Sequence, residues 1–560
     1  MGGARERLRE SGGALAEVFR NPGLRRLNIA LAGSVIGDWA YAVGVSVYAY
    51  TQGGATAVGV LGVVRYVSMA ALLPLTSVLA DKLDRKRVMV AADLIRVVLV
   101  LIAAAVIELD GPALAVYALA ILTSLVGTAF RPAQAALMPS LATHPGELTA
   151  ANVASSTIES VGFFLGPAIG GALLAVADVA TVYVFDAITF LWSAVLVMGL
   201  RRPTAEATGA AEAKTAADRD GEPAGSSSMF AGAGDGYREI FGHRDIRLLV
   251  GLYCAQTIVA GASLVFGVAI ALDLLDLGES GVGLLDATVG VGGLIGGFVA
   301  LVLAQRGKLA RDFGIGVIMW SAPLVLIAAW PTLPAALAAM VLIGVANSVV
   351  DVNAFTILQR LVPDAVMGRV FGAVESAIIA GMALGSLLMP LLINTIGLRS
   401  GLAVIGAGVT VLVIAGLAGL HRIDQVALAP AGLNLLRGVP MLGVLPEVVL
   451  ERLARVSELV RIPAGRTVFT EGDPGDRFYV IESGTVDVSI RGDFVRSLGP
   501  GDSFGEIALL RDIPRTATVI ATTDLVLRAI DRGDFLPAVT GHGDAVEQAE
   551  LVVTHLLVIS

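Results

Sequence analysis

Two sets of residues in this chain have types and spacings that could do chemistry. The first is a scatter of ionisable side chains inside long apolar runs: Asp38, Arg65, Asp93, Arg96, Asp186 and Asp351. A charge in hydrocarbon is costly, so each is a functional candidate if the runs cross a membrane. Asp38 sits about 11 residues into the first run, and Arg65 about 15 residues above the inner end of the second. At 1.5 Å per residue these are depths of roughly 16 and 22 Å. Side by side they could form an ion pair that protonation of Asp38 would break, which is proton-coupling chemistry. A permanent structural pair is the alternative. Asp93 and Arg96 are spaced i, i+3 and can pair locally. Asp186 and Asp351 are candidates for substrate or proton contact. The second set is compact: Phe504-Gly505-Glu506-Ile507-Ala508, then Arg515-Thr516-Ala517. Gly505 lets the backbone approach an anion, a short helix from Glu506 would offer N–H groups, and Arg515 can make a charge-assisted contact.

The elements that must hold these residues follow from composition. The chain has 560 residues, 56 % hydrophobic and 16 % charged, with 66 glycines and a mean hydropathy of +0.80. Soluble domains carry about 25 % charge. A disordered chain, a disulfide scaffold and an ordinary soluble enzyme are excluded. The net charge of −9 gives no reason to expect nucleic acid. Cys254 stands alone, so no intrachain disulfide or cysteine metal cluster is expected. Residues 431–560 differ, with 12 Arg and 18 acidic residues, an ordinary soluble composition. The N-terminus is not read as a signal peptide, since basic residues precede a first run long enough to span.

Apolar runs of about 20 residues place spans near 27–50, 56–80, 87–108, 111–136, 150–176, 181–200, 246–272, 281–305, 312–330, 334–359, 368–394 and 399–420. Basic residues cluster in alternate loops, as at Lys82 to Arg87, Arg201 to Arg247, Arg306 to Arg311, and Arg422. That puts both termini inside. A stretch rich in Ala, Gly and Ser, from Pro203 to Gly236, reads as a flexible linker between two halves. A weak echo relates them: Glu159 and Glu375 each precede a Gly-rich run, where a carboxylate suits a helix N-terminus. The expected organisation is a segment 1–26, a six-helix half 27–200, a linker 201–245, a second half 246–422, a connector 423–444 and a soluble domain 445–560. Repeated halves with a central linker are a transporter architecture.

The segment Ser77-Val-Leu-Ala-Asp81-Lys-Leu-Asp84-Arg85-Lys86-Arg87 resembles the loop signature of the major facilitator superfamily. That likeness implies a conformational latch from Asp81, Arg85 and Lys86, with Asp93 and Arg96 in support. Gly162-Phe-Phe-Leu-Gly166-Pro167-Ala-Ile-Gly170 resembles a motif of members that export by antiport; a tight helix interface is the plainer reading. Thr356 to Pro363 and Gly368-Arg369-Val-Phe-Gly resemble the enterobactin and macrolide exporter subgroup. The likeness covers about residues 20–425.

Beyond Leu445 the pattern turns to short β-rich runs with turn glycines: Arg466–Thr470, Arg477–Ile481, Thr485–Ile490 and Phe494–Leu498. A helix is expected over Pro446–Leu459 and another over Ala545–Ile559. The runs suggest a small β-roll. Within it, Phe504 to Ala517 resembles the phosphate-binding cassette of cyclic nucleotide-binding domains. The likeness implies that Arg515 meets the cyclic phosphate and that Glu506 accepts from the ribose 2′-hydroxyl. Thr516 is a hydroxyl where some cGMP-selective members have one; cAMP is favoured, with cGMP open.

The expected fold is thus an all-α bundle of 12 transmembrane helices plus a C-terminal β-roll. The expected function is a proton-coupled exporter of small amphipathic molecules, working by alternating access under cyclic-nucleotide control. Its place is the bacterial inner membrane, with both termini and the β-roll cytoplasmic, as a monomer or weak dimer. A lipid flippase and a non-transporting sensor are the alternatives. No nucleophile–base set, metal set or nucleotide-hydrolysis loop points to an enzyme, a metal or a cofactor.

Overall fold

The computed structural model describes residues 20–142, 145–200, 236–304, 308–362, 364–427 and 432–541, with a few beyond 541; side chains are described for these except at 72–82, 145–146, 304, 364–365, 425–427 and 447–448. Residues 201–235 and most of the expected terminal helix lie outside that set. The chain divides into two compact units, Met1–Ala427 and Leu428–Ser560.

The first unit is helical: α1 (Pro22–Lys82), α2 (Arg85–Glu108), α3 (Ala113–Gly127), α4 (Phe130–Leu141), α5 (Pro145–Val176), α6 (Val179–Met198), α7 (Arg244–Ala269), α8 (Glu279–Ala304), α9 (Leu309–Ala329), α10 (Leu333–Leu361), α11 (Asp364–Ile396) and α12 (Leu398–Ala427). Eleven helical stretches among the described residues are long and apolar enough to cross a bilayer. The first, Pro22–Ala71, has 50 residues, more than twice the ~20 a hydrocarbon core needs. Its path breaks at Gly53 (φ −149°) and Gly54 (φ 62°), between the first two expected spans. Gly54 takes a left-handed conformation that a side chain resists. The expected fourth span is two helices, α3 and α4. Residues 236–242, assigned to the linker, are helical.

Lipid tails are as apolar as leucine, so helices in a membrane associate through close packing of small residues. A Cβ on Gly162 would lie 2.4 Å from Val35, and one on Gly166 2.4 Å from Trp39 Cβ. Gly170 packs on Ala40. These glycines seat α5 on α1. In the second half Gly381 and Gly385 seat α11 on α7, against Thr257 and Ile258. The sequence echo is therefore a repeated helix interface. Between halves, Gly171 of α5 meets Gly283 of α8, and Gly59 meets Ser386 and Pro390 of α11. Hydrogen bonds from Tyr50 to Asp273 and from Asn394 to Thr56 (3.1 Å) join the halves at that same end.

Polar side chains fix the opposite helix ends. Asp84 caps α2 by accepting from the Arg87 N–H at 3.1 Å. Asp424 of α12 accepts from the first N–H groups of α9, at Ala310 (2.7 Å) and Arg311 (3.1 Å). Arg422 donates to Asp245 at the start of α7, its Nε at 2.9 Å.

The second unit opens with α13 (Leu433–Arg437), α14 (Pro440–Gly443) and α15 (Glu447–Val456). Strands β1 (Glu458–Ile462), β2 (Thr467–Phe469), β3 (Arg477–Ser483), β4 (Val486–Ile490), β5 (Asp493–Leu498), β6 (Ser503–Phe504), β7 (Thr518–Ala521) and β8 (Leu525–Asp531) follow, with α16 (Glu506–Arg511) after β6 and α17 (Arg532–Thr540) last. They form two antiparallel four-stranded sheets, β1-β8-β3-β6 and β2-β7-β4-β5. The expected connector is partly core: Leu433, Leu436, Val439, Met441 and Leu442 are buried with Phe478 and Phe535. Those apolar residues, at helical spacing, belong to the roll's helical flank.

Candidate functional site

In the second unit the chain leaves β6 through Gly505 and turns directly into α16. Gly505 has φ 94°, and a Cβ there would sit 2.7 Å from Arg515 Nη1 and 3.1 Å from the Arg477 carbonyl. Both the conformation and the close approach require glycine. Arg515 lies under this turn with its side chain 2 % exposed. Its Nη1 donates to the Gly505 carbonyl at 3.1 Å, and its Nη2 to the Arg477 carbonyl at 2.9 Å and to Asp476 at 3.2 Å. The guanidinium carbon stands 4.2 Å from the Phe469 ring centroid, a desolvated cation–π contact. Nε is buried with no partner.

Glu506, the first residue of α16, is 2 % exposed. Its Oε2 is buried without a hydrogen-bond partner, an arrangement that costs free energy until a donor arrives. Burial pushes its carboxyl up to about 7, and the charges of Arg496 and Arg515 oppose the shift. Phe504, Gly505, Glu506, Ile507, Ala508, Arg515, Thr516 and Ala517 all line one cavity of about 620 Å³, with Phe469, Glu471, Val488 and Arg496. That size suits a ligand of several hundred daltons. The unpaired acceptor and the unpaired cationic N–H fit an anion beside a hydroxyl. Sequence reasoning gave no role to Phe469, Asp476 or Arg496, which come from strands and a turn outside the motif.

In the first unit Asp38 of α1 is ion-paired, but with Arg96 of α2. Arg65 makes no ion pair among the described residues, and its Nε is buried without a partner. Depth counting placed Asp38 and Arg65 at similar levels but said nothing about which helix faces meet. The local Asp93–Arg96 pair is likewise replaced. Arg96 is 6 % exposed against 41 % for Asp38, and its guanidinium lies 3.6 Å from the Phe190 ring centroid. Asp93 and Asp186 are fully buried. Neither oxygen of Asp93 meets a hydrogen-bond donor in ordinary geometry. Asp186 closes on α1, since a Cβ on Gly37 would fall 2.6 Å from its Oδ1. Arg96 and the Asp38, Asp93 and Asp186 carboxylates thus share one electrostatic cluster.

Asp351 belongs to a second cluster, in the other half. Tyr253 donates to its Oδ1 at 2.7 Å and Asn347 to its Oδ2 at 3.3 Å, and the Trp320 indole donates to Asn347 at 3.2 Å. Glu159 does not cap a helix: it lies well inside α5 and pairs with Arg131. Glu375 similarly lies inside α11. Both helices start earlier than the apolar windows suggested, because their first turns are polar. The side chain of Asp81 lies outside the described residues. Arg85 donates to the Ala136 carbonyl at 2.9 Å and Lys86 to the Leu200 carbonyl at 2.6 Å, so both tie the first half to itself.

Long apolar helices carrying buried charge clusters, followed by a β-roll with a nucleotide-sized cavity, define a membrane transporter joined to a ligand-binding domain. The family model of the Major Facilitator Superfamily matches residues 27–311 and 252–432. The chain belongs to that superfamily. Residues 459–542 match the cyclic nucleotide-binding domain. A solved POT family transporter shares the fold of the helical part, with TM-score 0.55 at 14 % identity over 72 % of this chain and 96 % of that one. The roll is similar to cAMP-dependent protein kinase regulatory subunits. That of Aspergillus niger is 38 % identical over 117 residues, 20 % of this chain and 28 % of the relative. That of Yarrowia lipolytica is 50 % identical over 72 residues, 13 % and 19 %. The match spans less than a third of either relative.

Proposed function

We propose that this chain is a proton-coupled exporter of small amphipathic molecules, gated by a cyclic nucleotide bound in the β-roll. It crosses a bacterial inner membrane twelve times, the break at Gly53–Gly54 separating the first two spans, with both termini and the roll cytoplasmic. Its motifs favour the enterobactin and macrolide exporter subgroup. The observation that carries the proposal is the cavity around Gly505, where the Glu506 Oε2 and the Arg515 Nε stand buried and unpaired. Arg515 meets the cyclic phosphate and Glu506 accepts from the ribose hydroxyl. The likeness to the kinase subunits supports cAMP as ligand. The nucleotide shifts the inward–outward equilibrium by its differential affinity for the two states, a coupling of about 1–3 kcal/mol. Protonation of Asp38 releases Arg96 and couples the transporter to protons, while Arg65, Asp186 and Asp351 serve substrate or proton contact.

The test is ethidium flux in proteoliposomes under an imposed pH gradient, with and without cyclic nucleotide. Gradient-driven flux that changes with nucleotide is expected. Flux of a fluorescent lysophospholipid with none of ethidium would replace the export reading by a flippase.

Binding should also depend on pH. Below about pH 7 the free site holds a proton on Glu506, and accepting the ribose hydroxyl as a carboxylate requires losing it. Affinity is expected to fall as pH drops below about 7, approaching tenfold per pH unit, and to level off above about pH 8. Calorimetric titration across that range checks this, and affinity that rises on acidification contradicts it. Glu506→Gln should flatten the profile.

A further inference from the structure

We propose that Glu375 and the rings of Tyr253, Phe355 and Phe371 form a binding site for an organic cation in the second half. The inference rests on the transporter reading above and narrows its substrate class. Glu375 stands 11 residues beyond Asp364, where α11 begins, a depth of roughly 16 Å at 1.5 Å per residue. It is exposed, but not to lipid. Leu384, Leu387 and Leu391 form the exposed apolar stripe of α11. At 100° per residue Glu375 points about 150° away from that stripe. An ionisable side chain at such depth faces the bundle interior or a watery cavity.

Glu375 has no hydrogen-bond donor and no basic partner among the described residues. Its counterpart is informative. Glu159 precedes the Gly-rich run of α5 as Glu375 precedes that of α11, and Glu159 pairs with Arg131. The same place in the repeat is supplied with a cation in one half and left without one in the other.

Aromatic rings surround the unpaired carboxylate. Phe371 lies one turn before Glu375 on α11, and Phe355 one turn after Asp351 on α10. The two phenyl rings stack, centroids 5.8 Å apart at 21°. Since α10 and α11 are consecutive and antiparallel, Asp351 and Glu375 lie at one level, a turn beyond the stack. Tyr253 of α7 closes a third side, its ring 6.2 Å from Phe355 at 85°. The charge of Glu375 acts on Tyr253. Asp351 already accepts from Tyr253 and Asn347, so Glu375 is the carboxylate with its lone pairs free. Ring faces attract cations, most strongly when water is excluded. A hard inorganic ion needs six or so oxygen ligands, and the rings supply none. An alkyl- or aryl-substituted cation buries its apolar groups against the rings and turns its charge to Glu375.

The experiment is equilibrium binding of tetraphenylphosphonium and tetraphenylborate, one shape with opposite charges, to the full-length protein in detergent. The phosphonium should bind saturably and the borate should not. Glu375→Gln should weaken phosphonium binding roughly 10- to 100-fold, Glu375→Asp less, and Phe371→Leu about fivefold. Glu159→Gln should leave it as it is. Equal binding of the borate by the wild type overturns the proposal. So does Glu375→Gln protein of normal melting temperature that keeps full phosphonium affinity. Gradient-driven flux of an anionic amphiphile, with no phosphonium bound or moved, overturns this inference and leaves the export reading standing. Phosphonium binding that depends on Glu375, with no flux of any probe, sustains the site and removes the export reading.

Discussion

Asp38→Asn is expected to abolish pH-gradient-driven transport, on the order of 100-fold, since one protonatable group on the pair leaves no second route for the coupling step. The pair is lopsided: Asp38 is 41 % exposed and Arg96 only 6 %. The carboxylate is therefore the accessible member of the pair, and the cation it holds lies against Phe190. Asparagine removes the titration and takes away the carboxylate that Arg96 is ion-paired with, which costs stability because the guanidinium is buried. The melting temperature of Asp38→Asn should fall accordingly. The double variant Asp38→Asn/Arg96→Gln removes both charges and should recover stability without recovering coupling. Counterflow exchange, which needs no net proton movement, separates the two effects. Full gradient-driven transport by the double variant would mean that Asp38 is a structural pair and that coupling lies elsewhere, with Asp186 or Asp351 next.

Arg515→Ala should weaken cyclic-nucleotide binding by roughly two to three powers of ten. Charge-assisted hydrogen bonds contribute about 1.5–3 kcal/mol each, and a phosphate facing this guanidinium would accept more than one. The substitution also strands the Gly505 and Arg477 carbonyls and uncovers the Phe469 ring. A drop in roll stability is expected with it, so Arg515→Lys serves as the control that keeps a cation in place and still loses most affinity. Transport by Arg515→Ala should no longer respond to nucleotide. A response that persists at saturating nucleotide would mean that the ligand acts somewhere other than this cavity.

Much of this was legible because it is local. The motif Phe504 to Ala517 is a continuous stretch, so its residues had to fall around one turn. Apolar runs likewise reveal helices wherever they are long. Two kinds of information were not local. Depth along a helix can be counted from a sequence, but azimuth cannot, and Asp38 consequently met Arg96 rather than Arg65. Glu159 and Glu375 read as caps because each precedes a Gly-rich run, but that run is the packing face of a helix already under way, and both lie inside their helices. Arg496 was hidden for a third reason: a bulge breaks the alternation that tells inward from outward residues on a strand. Asp286, half-buried on α8 near Gly267, escaped notice because it sits in a Gly-rich helix with no neighbouring charge to draw attention.

The anchoring of α12 has a mechanical side. Its last turns are bolted to α9 through Asp424 and to α7 through Arg422, and the chain runs from there into the roll. Any tug or twist of α12 is handed to α7 and α9 of the same half. The other half feels it only across the Gly171–Gly283 seam and its neighbours. The three helices α7, α9 and α12 thus form one clamped set, and a displacement of any one of them is shared by the other two.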